Sequence, residues 1–530
     1  FQRWSDEMNN EGFDPNDDLG YHYMKGGILP TISSNDEYRT GDALMARLFY
    51  SYDNRYLFEV NGRYDGSSKF PNNSQWGFFP SASAAWRLSE ERFWKVDPKF
   101  LSNVKLRMSY GALGKSNVNP YSYLEKFSLS TFSTTGTSTD GRYLDGSAKL
   151  RYTKNPSQIP DNIGWETSKT VDVGIDLGFL HNKITLSADY YVRKTIDMYT
   201  VGPTLPDTFG ASSPKGNYAD MSTYGYEISL GYNDSFKLAD RPLSFGVKVT
   251  LADYYSVIDK YNNPTRDLDD YYVGQRIGEI WGYVCNGLFQ SQDAIDTAFN
   301  GKGYKNDIMQ TSVNYITHPG DMRFEDLNGT NSIDKGANTV DSPGDRQIIG
   351  NEEPRYIYTF SFSADWNNFF LSAMFDGVGK QDWYPSGESS FWGQYNRPYN
   401  QVPTWHLNNY WTEDNPNAYL PRYSGYYNPL YKGTANTRYL QDVSYIRLKN
   451  FQFGYNLPKK WIAKAGLSHV SVYFSGENLW SWSPLYRYTK DYDVTVVTKG
   501  SDSDITSGNK GDGFNYPTMR NFSFGISITY

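Results

Sequence analysis

From Met519 to Tyr530 the chain alternates strictly: Phe522, Phe524, Ile526, Ile528 and Tyr530 fall on one parity, Asn521, Ser523, Gly525, Ser527 and Thr529 on the other. Side chains on a strand point to opposite faces with period two, so this segment carries one apolar face and one face of small polar groups. A wall between hydrocarbon and water needs that division, and so does an amphipathic strand of a soluble sandwich. Length favours the first reading, because about 9–11 tilted residues cross a bilayer whereas soluble strands average about 5–6.

The pattern recurs along the chain. Leu48, Tyr50 and Tyr52 lead through Asp53-Asn54 into Tyr56, Phe58, Val60, Gly62 and Tyr64, which reads as a hairpin. Val104 to Tyr110, Val171 to Phe179, Ile184 to Val192, Tyr224 to Tyr232, Leu243 to Leu251, Tyr358 to Trp366, Phe369 to Phe375, Phe451 to Leu457 and Val470 to Phe474 alternate alike. With Ala84, Trp86 and Leu88 the count is about thirteen strands. In these registers no apolar-face position is charged, although 21% of residues are charged. A lipid face would impose that exclusion, since Arg or Lys at mid-bilayer costs about 2–4 kcal/mol. A sandwich core would also exclude charge, so the other face separates the readings: a polar lumen suits Arg63, Arg107, Asp176, Asp189, Arg193 and Glu227.

Connection lengths alternate too. Asp53-Asn54, His181 to Lys183 and Asn367-Asn368 read as tight turns, and 89–103, 233–242 and 458–467 as modest links. Long excursions near 66–80, 113–169, 194–222, 254–356, 379–444 and 478–518 separate them. Short turns on one side and long loops on the other are the topology of outer-membrane barrels. The expected fold is therefore all-β, a transmembrane antiparallel β-barrel with long extracellular loops. Its strands lie near 43–65, 81–112, 170–193, 223–252, 357–378, 445–477 and 519–530. The closing aromatic strand (Phe522, Phe524, Ile526, Ile528, Tyr530) resembles the signal by which bacterial barrels are recognised for assembly.

Composition narrows the classes. Glycine and tyrosine number 47 each, and no run of about 18 apolar residues offers a helical span. A net charge of −8 without basic clusters argues against nucleic acid. Cys285 is alone, so it has no internal disulfide partner. The five histidines are scattered, without H-E-x-x-H, and there is no G-x-S-x-G elbow. Glu352-Glu353 and the loop aspartates leave a glycosidase pair as a weak second class.

Phe1 is not a start methionine, no secretory signal precedes it, and Phe1 to Asp18 reads as a polar loop. Single-chain bacterial barrels have even strand numbers. The chain is thus expected to be the C-terminal part of a larger barrel, processed, split between chains or extending upstream.

The motifs Tyr52-Asp53-Asn54-Arg55-Tyr56, Asp65-Gly66-Ser67-Ser68-Lys69-Phe70, Trp76-Gly77-Phe78-Phe79-Pro80-Ser81, Trp165-Glu166, Trp281-Gly282-Tyr283, Pro319-Gly320-Asp321, Ser444 to Asn450 and Asn478-Leu479 occur in that order. Together they resemble the SusC/RagA-type TonB-dependent outer-membrane transporters, over nearly the whole chain. The resemblance implies a barrel of about 22 strands filled by an N-terminal plug, of which this chain supplies roughly the last 13 and none of the plug. It implies location in the outer membrane of a Gram-negative bacterium. It also implies active import of oligosaccharides, less readily peptides, with a SusD-type surface lipoprotein, and with the TonB complex acting through the plug. A passive porin is the leading alternative, and a secreted β-rich glycan-binding protein the third.

Three loop features carry candidate sites. Asp326, Asn328, Thr330 and Asp334 resemble a calcium loop, degenerate because Asn331 stands at the turn glycine and Ala337 at the bidentate glutamate. No cofactor is required by anything here; structural calcium is the one candidate, against a metal-free acidic turn. Trp383, Tyr384, Trp392, Tyr395, Trp405, Trp480 and Trp482, with Trp411 beside them, supply rings that stack on sugars. A membrane girdle or a lipoprotein interface explains them equally. Arg447 and Lys449 share parity with Phe451 and Phe453, so they either stand at the rim above the membrane, the favoured reading, or follow a bulge.

Overall fold

The computed structural model describes residues 2–6, 35–125, 127–131, 151–154, 158–159, 163–202, 213–307, 316–385, 391–392, 402–423, 434–495, 497 and 518–530. Among the described residues, thirteen strands form one antiparallel sheet. They are β1 (Gly41–Tyr52), β2 (Tyr56–Ser67), β3 (Trp76–Arg87), β4 (Asn103–Lys115), β5 (Glu166–Phe179), β6 (Ile184–Val201) and β7 (Lys215–Leu238). The rest are β8 (Arg241–Lys260), β9 (Arg355–Trp366), β10 (Phe369–Lys380), β11 (Tyr445–Asn456), β12 (His469–Trp482) and β13 (Asn521–Thr529). Each pairs with its neighbours in sequence, an unbroken meander with β1 and β13 at its edges.

The tight turns have a local cause. Asp53 and Asn54 have φ of 52° and 53°, and Asn367 and Asn368 of 46° and 74°. Positive φ at both central residues makes the turn twist with its strands, and Asn and Asp tolerate that region best. Ala239 and Asp240 take the same form, with φ of 49° and 58°. The segment 233–242, read from sequence as a link, is thus mostly strand, paired from Asn233↔Gly246 to Leu238↔Arg241.

Opposed residues keep the faces apart. Leu48 faces Val60 and Tyr50 faces Phe58, while Arg47 faces Asn61 on the other side. On β8 the apolar face runs Leu243, Phe245, Val247, Val249, Leu251 and then meets Asp253. Arg355 binds Asp253 at 2.5 and 2.6 Å. Toward the tight turns, Asp234 shares the apolar parity opposite Phe245 and is bound by Lys183 at 2.6 Å. Between these paired charges the face is uncharged, and Tyr226 and Tyr232 on β7 bracket Ile228 and Leu230. Six residues at about 3.4 Å each span roughly 20 Å along the strand, the scale of an aromatic-bounded hydrocarbon band.

β6, β7 and β8 have 18, 24 and 20 residues, far more than a crossing needs. Their apolar runs start near the tight turns, so the surplus extends on the long-loop side. The excursions near 194–222 and 254–356 are narrower than the alternation suggests, because ladder hydrogen bonds continue where lipid no longer imposes a pattern. Near the start, Gln2–Asp6 pairs with Asn35–Arg39 where a polar loop was expected.

The long loops share a core of their own. Phe289, Met322, Ile333, Trp383, Phe391, Trp392, Leu420, Tyr439, Val443 and Leu485 are each at most 3% exposed and form part of one cluster drawn from three separate loops. Phe70, Val118 and Ile163 make a smaller cluster over β2 to β5.

Candidate transport face and outer loop cluster

On the polar face, several of the charges are paired. Arg107 donates to Asp176 through Nε and Nη2 at 2.8 and 2.9 Å, and its Nη1 lies 2.8 Å from Asp189. Gly174 lies opposite Asp189. A methyl group there would collide with Asp189 and Arg107, so the missing side chain makes room for the pair. Arg63 pairs with Asp65 at 2.7 Å and Arg47 with Glu59 at 2.9 Å. Arg47, Arg63 and Asp65 border an open trough of about 1020 Å³ that Phe79 and Trp165 also line. Arg193 instead sits 5.5 Å over the Tyr191 ring, and Glu227 is exposed.

Arg447 joins this face through a bulge, and not at the rim. Asp376 opposes Arg447 and Phe375 opposes Leu448, but Met374 opposes Asn450, which leaves Lys449 as the extra residue. One inserted residue reverses the parity of everything beyond it. Arg447 therefore turns to the polar side while Phe451 and Phe453 stay on the apolar side. β12 bulges at the same level, between Glu477 and Trp480, where Asn478 has φ of 54°.

That second bulge also places two of the aromatic candidates. Trp480 opposes Leu448 and Trp482 opposes Ile446, so both share the apolar face, at 47% and 55% exposed. They stand where a membrane girdle belongs. Trp383 and Trp392 are 3% and 0% exposed, inside the loop core, where Trp392 packs edge-on against Phe391 and Tyr439. In this packing neither ring has a face to offer a sugar. Trp411 is buried with them, Trp405 is partly buried against Phe391 at 4.9 Å, and the Tyr384 hydroxyl accepts from Asn436. Tyr395 lies outside the described residues.

The acidic turn is brought together as its spacing suggests. Asp326 accepts backbone N–H groups of Gly329, Thr330 and Asn331, and the Thr330 hydroxyl donates to Asp334 at 3.1 Å. Asn331 takes the left-handed φ of 63° that the glycine would have served. Sequence reasoning missed Asp345 behind the turn. It is 0% exposed and accepts from the N–H groups of Leu327, Asn328 and Asp334. Burial raises its carboxyl above the ordinary range. Among the described residues no three His, Cys, Asp or Glu side chains form a metal-holding group, so any cation would rest mainly on neutral oxygens and two carboxylates.

The meander, its two-faced wall and its loop core match one family. Residues 2–342 fit the family model described as "TonB dependent receptor-like, beta-barrel". The chain belongs to this family. Among curated relatives, TonB-dependent receptor P3 of Formosa agariphila is 28% identical over 97% of this chain and 48% of its own length. TonB-dependent receptor SusC of Bacteroides thetaiotaomicron is 26% identical over 93% of this chain and 44% of its own. The chain spans about half the length of the curated relatives it matches. Among solved structures, the RagAB peptide transporter superposes with a TM-score of 0.66 at 19% identity, covering 95% of this chain and 49% of that one, a likeness of fold.

Proposed function

We propose that this chain is barrel wall and outer loops of an outer-membrane transporter in a Gram-negative bacterium, importing oligosaccharides with a SusD-type surface lipoprotein and driven by TonB through a plug. Family membership, together with the relative named SusC, supports the receptor reading. The observation that carries the cargo class is the polar face itself. Arg107 is matched by Asp176 and Asp189, Arg47 by Glu59, Arg63 by Asp65 and Arg447 by Asp376. A wall on which much of the charge is paired offers hydrogen bonds with little net charge, which suits hydroxyl-rich neutral cargo better than charged peptides. The alternating apolar strand β13, with Phe522, Phe524, Ile526, Ile528 and Tyr530, acts as the assembly signal in the same reading.

The test is mass spectrometry of what co-purifies after gentle extraction from outer membranes, followed by uptake assays with labelled glycans and peptides. A surface lipoprotein and saturable, energy-dependent glycan uptake support the proposal. Energy-independent conductance without a lipoprotein would establish a porin, and peptide uptake would overturn the cargo assignment.

A further inference from the structure

Like charges directly opposite across strands repel, and elsewhere in this sheet they have counter-ions. Arg87 and Lys105 are opposed, and Glu90 and Asp176 lie within 3.0 and 4.0 Å of them respectively. Asp189 opposes Glu227, and Arg107 binds Asp189 at 2.8 Å. Lys169 and Lys194 are opposed in the β5/β6 ladder, on the apolar face, next beyond the opposed Val171 and Val192. Both are exposed, and neither side chain has a hydrogen bond or ion pair among the described residues. The flanking positions are small: Ala112 opposes Lys169 on β4, and Ser222 opposes Lys194 on β7. No acid lies within ion-pair distance of either ammonium among the described residues; Asp259 accepts from the Ser222 hydroxyl and Asp220 from the Asp197 N–H.

Height identifies what meets this pair. Lys194 lies ten residues beyond Ile184, the first residue after the tight turn. At about 3.4 Å per residue and a tilt near 40°, that is roughly 26 Å above the start of the strand and four residues beyond Tyr190, which opposes the Tyr226 that bounds the uncharged band. Two unpaired ammonium groups there, continuous with the hydrocarbon face and flanked by small residues, face the headgroup layer.

We propose that Lys169 and Lys194 bind a phosphate of the outer-leaflet glycolipid, lipid A, which acts as their missing counter-ion. The inference rests on the outer-membrane reading above. The phosphate relieves the repulsion and fixes a lipid against β4 to β7.

The intact protein, reconstituted in phosphatidylcholine vesicles with and without bisphosphorylated lipid A, is compared with K169Q/K194Q and K169R/K194R. Bound lipid A is counted by native mass spectrometry, and stability is read as the temperature at which the folded band is lost on gels. Wild type and the Arg variant retain lipid A and melt higher in its presence. The Gln variant loses retention by on the order of tenfold, as expected for two cations at an anionic surface, and melts alike in both vesicles. Dephosphorylated lipid A and inorganic phosphate leave the wild-type melting unchanged. Undiminished retention by the Gln variant, or an equal effect of free phosphate, overturns the proposal. Failure of every form to insert in either vesicle would instead sink the membrane reading beneath it.

Discussion

Arg447 donates two parallel hydrogen bonds to Asp376, 3.0 and 2.7 Å long, two residues before the bulge at Lys449. The pair is half-buried and fork-shaped, a geometry that lysine does not reproduce. R447K and R447A should both destabilise the folded barrel, the latter by about 1–3 kcal/mol because Asp376 loses its partner. Deleting Lys449 should be tolerated better than R447A, because it removes only the extra residue and leaves Leu448 and Arg447 opposite Phe375 and Asp376. Urea midpoints of the folded band check the order.

Gly174 leaves room beside Asp189 for the Arg107 guanidinium. G174A should therefore lower stability by about 1–3 kcal/mol by overpacking. If the clash is the cause, D189A should restore much of the loss, and a double-mutant cycle reads the coupling.

Trp392 is completely buried in the loop core. W392A should cost about 3–5 kcal/mol locally, opening the loops to protease while the membrane-embedded strands stay protected. W480A, on the girdle face, should leave protease resistance unchanged.

Asp326 is satisfied by three N–H groups of its own turn. The turn should hold its shape without calcium, so EGTA should leave loop proteolysis unchanged, whereas D326A should increase it. A calcium-dependent rise in protection would establish the metal instead.

Glu91, in the link between β3 and β4, accepts from Tyr56 at 2.5 Å, Trp86 at 3.0 Å and Arg55 at 3.1 Å. The Tyr56 hydrogen bond first, then Trp86 and the Arg55 charge, hold its carboxyl below the ordinary range. A depressed carboxyl stabilises the fold above the unfolded pKa and loses that contribution as pH falls through the folded value. Hydrogen exchange in 88–102 should therefore rise below about pH 4 in wild type, and E91Q should lack that step.

Much of the wall was legible because lipid and water impose period two on strands such as Leu243 to Leu251, and because Asp53-Asn54 and Asn367-Asn368 announce their turns. Lys449 was not, since a bulge is one residue without a compositional mark. Its effect was visible only as a parity conflict at Arg447. Trp383 and Trp392 could not be placed from sequence, because a ring that stacks on sugar and a ring that fills a core read alike. Trp392 is distinguished by partners such as Tyr439, far away in sequence. Asp345 and Glu91 escaped notice for the same reason: their partners come together only in the fold.

The central claim is that one face of this sheet meets lipid and the other an aqueous interior. Spin labels placed singly at residues 246–252 of β8, in the intact protein in vesicles, measure it by collision with oxygen and with a water-soluble nickel chelate. Positions 247, 249 and 251 should favour oxygen, and 246, 248, 250 and 252 the chelate, with a two-residue period. Uniform accessibility, or a period that peaks on the other parity, would contradict the account.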